Sequence, residues 1–292
     1  MAIFNLGSVN IDHFYDVPHL PAPGETLAAS THKIGLGGKG VNQSVAAAKA
    51  GAQVKHIGAI GVGDDWVPTR MEEYGVDCTH LQVLEGATGH AIIYVDEAGE
   101  NSIVLASGAN AKIESDHVES ALVEAKSGDI FMIQNETNGV VEAARRAQEK
   151  GLRVVYSAAP FDVGAIKEIL PFVSLLVVNE VEAAQLGDAL GLSLSELKGF
   201  DLIVTLGGRG AMWQSGTNAQ TIDVVSPQVE VVDTTAAGDT FIGYVVAGLD
   251  LGKSIKAAME WATLAAGLKV TRAGTADAIP THEEVELFAT DI

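Results

Sequence analysis

The sequence predicts an α/β fold: a central, mostly parallel sheet flanked by helices, with a smaller sheet set apart from it. Three observations predict this. From about residue 115 onward, apolar strand-like runs alternate with helix-like stretches, the signature of successive crossover units. Runs such as Leu175-Leu176-Val177-Val178 are continuously apolar, as strands buried on both faces of a parallel sheet must be. Between residues 15 and 107, a proline-rich excursion and a hairpin interrupt the alternation.

Ala2 to Leu6 reads as the first buried strand, closed by Gly7-Ser8. Val9 to Phe14 follows, with Asn10 and Asp12 two apart and so on one face of an extended chain. An amide beside a carboxylate can grip vicinal hydroxyls, although an Asx turn leaving the strand would use the same residues. Pro18, Pro21, Pro23 and Gly24 precede an extended Thr26-to-Ile34 stretch, an excursion from the main sheet. Gly35-Leu36-Gly37-Gly38-Lys39-Gly40-Val41-Asn42-Gln43 then opens an alanine-rich helix over 41–50. It contains a formal G-x-G-x-x-G. The dinucleotide fingerprint, however, belongs in the first strand–helix turn with an acid about 20 residues on, and Ile57 to Gly61 holds no acid.

Val54 to Ile60 reads as a strand, followed by Gly61-Val62-Gly63-Asp64-Asp65 and a helix to about Tyr74. Ala91 to Val95 and Ser102 to Leu105 form a hairpin across Asp96 to Asn101. Strands are expected at 129–133, 152–156, 174–178, 201–205, 211–214 and 221–225. Helices are expected near 115–126, 138–150, 162–170, 180–188, 240–250, 254–267 and 281–288.

The stretch with the most chemistry is Asp233-Thr234-Thr235-Ala236-Ala237-Gly238-Asp239. An expected strand, Val229 to Val232, feeds it, and an apolar helix from about Gly238 to Leu249 leaves it. Ala236, Ala237 and Gly238 are small enough for the backbone to curl with its N–H groups converging at the positive end of that helix, a natural seat for an anion. A plain N-cap would need only Thr234 or Thr235. Asp239 beside an anion seat would weaken anion binding unless it has another task. Phosphoryl transfer supplies one: N–H donors stabilise the transferring phosphate while the carboxylate takes a proton from the attacking hydroxyl.

Composition narrows the partners. The 292 residues carry 18 basic and 38 acidic side chains, a net charge of −20, which opposes binding to nucleic acid or an anionic membrane. The single cysteine, Cys78, excludes an internal disulfide and any multi-cysteine zinc site. With no apolar run of transmembrane length and no basic leader, a soluble cytoplasmic protein is expected.

The turn at 233–239 resembles the second signature of the ribokinase-like sugar kinases, the PfkB family, usually written D-T-x-[GA]-A-G-D. Gly37-Gly38-Lys39-Gly40-x-Asn42-Gln43 matches the start of that family's first signature. Asn179-x-x-Glu182 and Thr205-Leu206-Gly207-x-x-Gly210 match two further elements in the same order. The resemblance spans the chain, and what it implies is concrete. The fold would be ribokinase-like over 1–292, with segments of about 13–35 and 90–107 forming a β-sheet lid and a homodimer through that lid. The activity would be ATP-dependent phosphorylation of a sugar hydroxyl, with D-ribose as the leading candidate. Asp239 would be the catalytic base, and Ala236, Ala237 and Gly238 the anion turn. Asn10, Asp12, Gly38, Lys39, Asn42 and Glu136 would hold the sugar; Asn179, Thr205, Gly207, Gly210 and Gly238 the nucleotide. Glu182 would reach Mg²⁺ through water. Asp233, with the carbonyls of Thr235, Lys269, Arg272 and Gly274, would bind K⁺, although Ala278 stands where the family usually supplies a serine ligand. The rival readings are a kinase for another sugar, a nucleoside or a sugar phosphate; a dehydrogenase, which the missing acid disfavours; and a non-catalytic sugar-binding protein, which Asp239 disfavours.

Overall fold

A computed structural model of the chain describes residues 1–218 and 220–291. The first half comprises β1 (Ile3–Leu6), β2 (Asn10–Asp16), β3 (Thr31–Gly37), α1 (Lys39–Lys49), β4 (Val54–Gly61), α2 (Trp66–Glu73), β5 (Val76–Leu84), β6 (Gly89–Val95) and β7 (Asn101–Ala106). Regular alternation follows: α3 (Ser115–Val123), β8 (Ile130–Gln134), α4 (Val140–Glu149), β9 (Arg153–Ser157), α5 (Val163–Ile169), β10 (Leu175–Asn179), α6 (Glu180–Leu190) and β11 (Asp201–Thr205). The chain closes with β12 (Ala211–Gln214), β13 (Thr221–Val224), α7 (Ala237–Asp250), α8 (Ile255–Lys269) and α9 (His282–Asp291).

Nine strands form the main sheet in the order β13-β12-β11-β10-β9-β8-β1-β4-β5. Its strands from β11 to β5 run parallel, and β12 and β13 add an antiparallel edge. Successive residues on each strand serve opposite layers. Ile3 of β1 and Ile130 and Met132 of β8 pack under α1, α7 and α8. Phe4, Leu6, Phe131 and Ile133 face the other side, with α3, α4, α5 and α6. The strand order reverses at β1, which lies between β8 and β4. In an open α/β sheet, the crevice beyond the carboxyl ends of the strands at such a switch point is where a ligand sits.

The smaller sheet runs β3-β2-β6-β7. The first residues of β2, Asn10 and Asp12, are buried against the main body, whereas its later residues extend outward. One strand thus joins the small sheet to the crevice. Residues 17–30 contain no regular element, so the extended stretch expected from Thr26 begins only at Thr31 and continues to Gly37.

Two expectations need correction. Val229 to Val232 is not a strand. Val232 and Asp233 both donate to the Val270 carbonyl, and Val229 and Val231 line a cavity, so the apolar run faces that cavity and not a neighbouring strand. Conversely β5, a nine-residue strand, lies where none was expected. Its pattern is blurred because it is the edge of the sheet, where only its inward residues, Val76, Cys78 and His80, are buried.

Candidate active site

The crevice assembles from four strand ends and the first turns of three helices. Asn10 and Asp12 project together from β2, both 5% exposed. Asn10 is fixed from behind: the Asn110 side-chain amide donates to its Oδ1 at 2.8 Å and also holds the Val9 backbone through both amide atoms. Glu136, just past β8, accepts hydrogen bonds from the Ser8 hydroxyl and from the Lys39 backbone N–H. Burial, reinforced by the charge of Glu136, pushes the Asp12 carboxyl up to about 7. Lys39 lies in the middle. Burial alone would push its ammonium down, but Asp239, Glu136 and Glu182 together hold it above the usual lysine range.

Helix α7 packs on α1 so closely that any side chain at Gly243 would overlap Ala46. This contact brings Asn42 and Gln43 of α1 to Asp239 in the first turn of α7. The Asn42 amide donates to Asp239 Oδ2 at 3.1 Å and the Gln43 amide to Oδ1 at 2.9 Å. Gln43 is held in turn by Gln134 Nε2, which also reaches Asn5 Oδ1, so buried amides from β1 and β8 fix the orientation of the carboxylate. Asn42 Oδ1 is buried without a donor among the described residues. A hydroxyl entering the crevice would satisfy it.

The turn before α7 has the curled backbone anticipated for an anion seat. Ala236 adopts φ 57° and ψ 10°, the single non-glycine residue with positive φ among the described residues. The Ala237 N–H bonds to Thr234, whereas those of Gly238 and Asp239 find no acceptor among the described residues. A Cβ added at Gly238 would meet no protein atom within 4 Å. Glycine is therefore not demanded here by packing; its bareness leaves room for what the N–H groups bind. Gly238→Ala is accordingly expected to keep its melting temperature while turnover falls by about 10²-fold through displacement of the bound group. A variant with unchanged kcat would show that no ligand approaches the turn.

Beside this turn opens a cavity of about 340 Å³, lined by Thr205, Gly207, Gly210, Gly238 and the apolar Val229 and Phe241. It brings together four of the five residues expected at the nucleotide. Asn179 is not part of its lining. It caps α6 instead, accepting from Glu182 N–H at 2.8 Å while the Glu182 carboxylate accepts from Asn179 N–H. Burial pushes the Glu182 carboxyl up, against the pull of Asn179 and Lys39. Among the described residues no group of three acidic, histidine or cysteine side chains could chelate a metal unaided. Glu182 fits only a Mg²⁺ that arrives with phosphate oxygens of its own.

The residues expected around K⁺ also converge, but on a different occupant. Asp233 accepts from Thr235 N–H at 2.8 Å and Gly274 N–H at 2.9 Å. Burial would push its carboxyl up; these bonds and Lys269 hold it below the usual range. Lys269, expected to contribute a backbone oxygen, instead turns its side chain into the cluster. Its fully buried ammonium donates to the Asp233 carbonyl at 3.1 Å and the Arg272 carbonyl at 3.4 Å, and lies 3.8 Å from Asp233 Oδ2. These residues do not fit a bound K⁺ with the lysine in place.

A family model for the pfkB family carbohydrate kinases matches residues 2–282. Ribokinase of Haemophilus influenzae is 36% identical over 97% of this chain and 96% of its own. A ribokinase structure from Thermotoga maritima is 32% identical with a TM-score of 0.89, covering 99% of both chains. Arabidopsis thaliana ribokinase, solved with ribose and ATP, is 25% identical with a TM-score of 0.85, again over 99% of both. Among the described residues no helix is long and apolar enough to cross a membrane.

Proposed function

The chain belongs to the pfkB family of carbohydrate kinases, and we propose that within this family it transfers the γ-phosphate of ATP to D-ribose. The observation that carries the reading is the crevice itself. Asn10, Asp12 and the unpartnered Asn42 Oδ1 face it from one side, and Asp239 and the bare N–H groups of α7 close it from the other. The ribokinases among the relatives support the choice of sugar. So does the scarcity of free cations: Lys49 is bonded to the carbonyls of Ala276 and Ile279, Lys55 is paired with Glu124, and Arg70 with Glu73. Lys33 is exposed on β3 and Lys39 is the one cation of these five buried among the expected sugar residues, which suits a neutral sugar better than a sugar phosphate.

In this reading Asn10, Asp12, Lys39, Asn42 and Glu136, beside the Gly38 backbone, hold the ring hydroxyls. Asp239, oriented by two amides, accepts the proton of the attacking hydroxyl. The N–H groups of Gly238 and Asp239 stabilise charge on the phosphoryl group as it moves. Thr205, Gly207 and Gly210 line the base and sugar of the nucleotide, and Asn179 shapes the far wall through its bond to Glu182. Glu182 would hold Mg²⁺ through water, and the metal when bound neutralises the phosphate charge. The small sheet, continuous with the sugar residues through β2, is the lid. Its exposed Ile103, Val104 and Leu105 support dimerisation through that face.

A kinase assay with Mg-ATP over pentoses, hexoses, nucleosides and fructose 6-phosphate tests the proposal. Ribose should give the highest kcat/KM. Deoxyribose should be clearly poorer if the missing hydroxyl is one that these residues pair, because a buried polar group left unpaired discriminates strongly. A preference for adenosine or fructose 6-phosphate would overturn it.

A further inference from the structure

We propose that the Lys269 side chain is a built-in cation that does the work of a monovalent metal ion beneath the anion turn, so that turnover is independent of K⁺. This rests on the kinase reading but goes beyond it. Asp233 begins the segment that curls into the N-terminus of α7, and its carbonyl, with that of Arg272, accepts from the Lys269 ammonium and from no backbone N–H among the described residues. Lone pairs buried in this way need either donors or a cation. Lys269, the last residue of α8, meets both with one ammonium and adds an ion pair to the Asp233 carboxylate. Its side chain has no solvent exposure.

Two neighbouring features agree with this. The remaining carboxylate bonding of Asp233 is complete, to Thr235 on one oxygen and Gly274 on the other, which ties both ends of the cluster to the same acid. Ala278, at the edge of the cluster against Gly274, has no side-chain oxygen to offer a metal. A metal ion coordinating the Asp233 and Arg272 carbonyls would have to displace the ammonium already bonded to them. The lysine is not in the lining of the cavity beside the turn, so it is a positioning residue: it fixes the segment from which Ala236, Ala237 and Gly238 present their N–H groups.

The test compares the wild-type enzyme with Lys269→Ala and Lys269→Met in potassium, sodium and tetramethylammonium chlorides at equal ionic strength. Wild-type kcat should be the same in all three salts. Lys269→Ala opens the site and should lose about 10–10²-fold in kcat in tetramethylammonium, with K⁺ restoring most of it. Its sugar KM should stay within about twofold, as expected for an effect on the transition state alone. Lys269→Met fills the space without a charge and should be impaired in every salt. Thermal melting supplies a readout that needs no catalysis. K⁺ should raise the midpoint of Lys269→Ala by roughly 2–5 °C in a saturable manner and leave the wild type unmoved. Adding Ala278→Ser to Lys269→Ala should strengthen both responses. Wild-type activity several-fold higher in K⁺ than in tetramethylammonium would overturn the proposal. So would full activity of Lys269→Ala without K⁺, or a folded Lys269→Ala that K⁺ neither activates nor stabilises. Should Lys269→Ala fail to fold, the wild-type salt comparison decides alone. Absence of kinase activity on every sugar would instead sink the functional reading, with the melting responses still testing the cation.

Discussion

Asp239→Asn is expected to lower kcat by about 10²–10⁴, the range over which a positioned general base contributes. The substitution keeps the shape of the side chain and removes its ability to take a proton. Both oxygens of Asp239 accept from amides, so the new NH₂ would face a donor at one of them. Asn42 can resolve that conflict by turning its amide over, because its own oxygen has no partner to lose. The variant should therefore fold and melt as the wild type does, and the loss should lie in the chemical step. Nucleotide affinity should hold or rise slightly, since a negative charge beside the phosphates has gone. Asp233→Asn should be milder and act on the turn through Gly274, Thr235 and Lys269. Single-turnover kinetics with saturating sugar and Mg-ATP read the effect directly. Near-normal turnover in Asp239→Asn would mean that the first turn of α7 is not the catalytic centre.

Much of this arrangement is legible in the sequence because it is local. The turn before α7 is seven consecutive residues, and the buried pair Asn10 and Asp12 follows from alternation on one strand. Glu136, Glu182 and Thr205 come at the ends of apolar runs, where an open sheet places its ligands. What escapes is pairing at a distance. Asn110 stands 100 residues from the Asn10 it holds, and Gln134 stands 91 from Gln43. Each reads in isolation as one more polar residue; a buried amide inside or beside an apolar strand was the signal available. The Val229 to Val232 run shows the complementary failure, since apolar character does not say whether the neighbour is a strand or a cavity. Lys269 shows a third. Its place at the end of α8 puts it beside Asp233 and Arg272, but which of its atoms faces inward depends on the gap they leave, and no local pattern encodes that gap.

Asp12→Ala is expected to cost about 10²–10⁴ in kcat/KM, because hydrogen bonds to a charged partner contribute about 1.5–3 kcal/mol each and a vicinal pair of hydroxyls makes two. The pH dependence separates this role from simple packing. In the free enzyme burial, then the charge of Glu136, holds the Asp12 carboxyl near 7, against 3.8 for an unperturbed aspartate. Between those values the folded chain keeps a proton that the unfolded chain has released. Asp12 therefore favours folding most at low pH, and its contribution declines as pH rises through about 7. Sugar binding has the opposite sign. Hydroxyls donate to the ionised form, so a bound sugar pulls the carboxyl down and expels the proton. Affinity should thus improve as pH rises, by about tenfold from pH 6 to pH 8, and level off above the free-enzyme value. Asp12→Asn cannot titrate and should show a flat sugar KM over that range, on top of its weaker binding, together with a less negative slope of stability against pH than the wild type. Measuring sugar KM at half-unit intervals, with nucleotide saturating, compares the two. A wild-type KM that stays constant or rises toward pH 8 would show that Asp12 does not meet the sugar as a carboxylate.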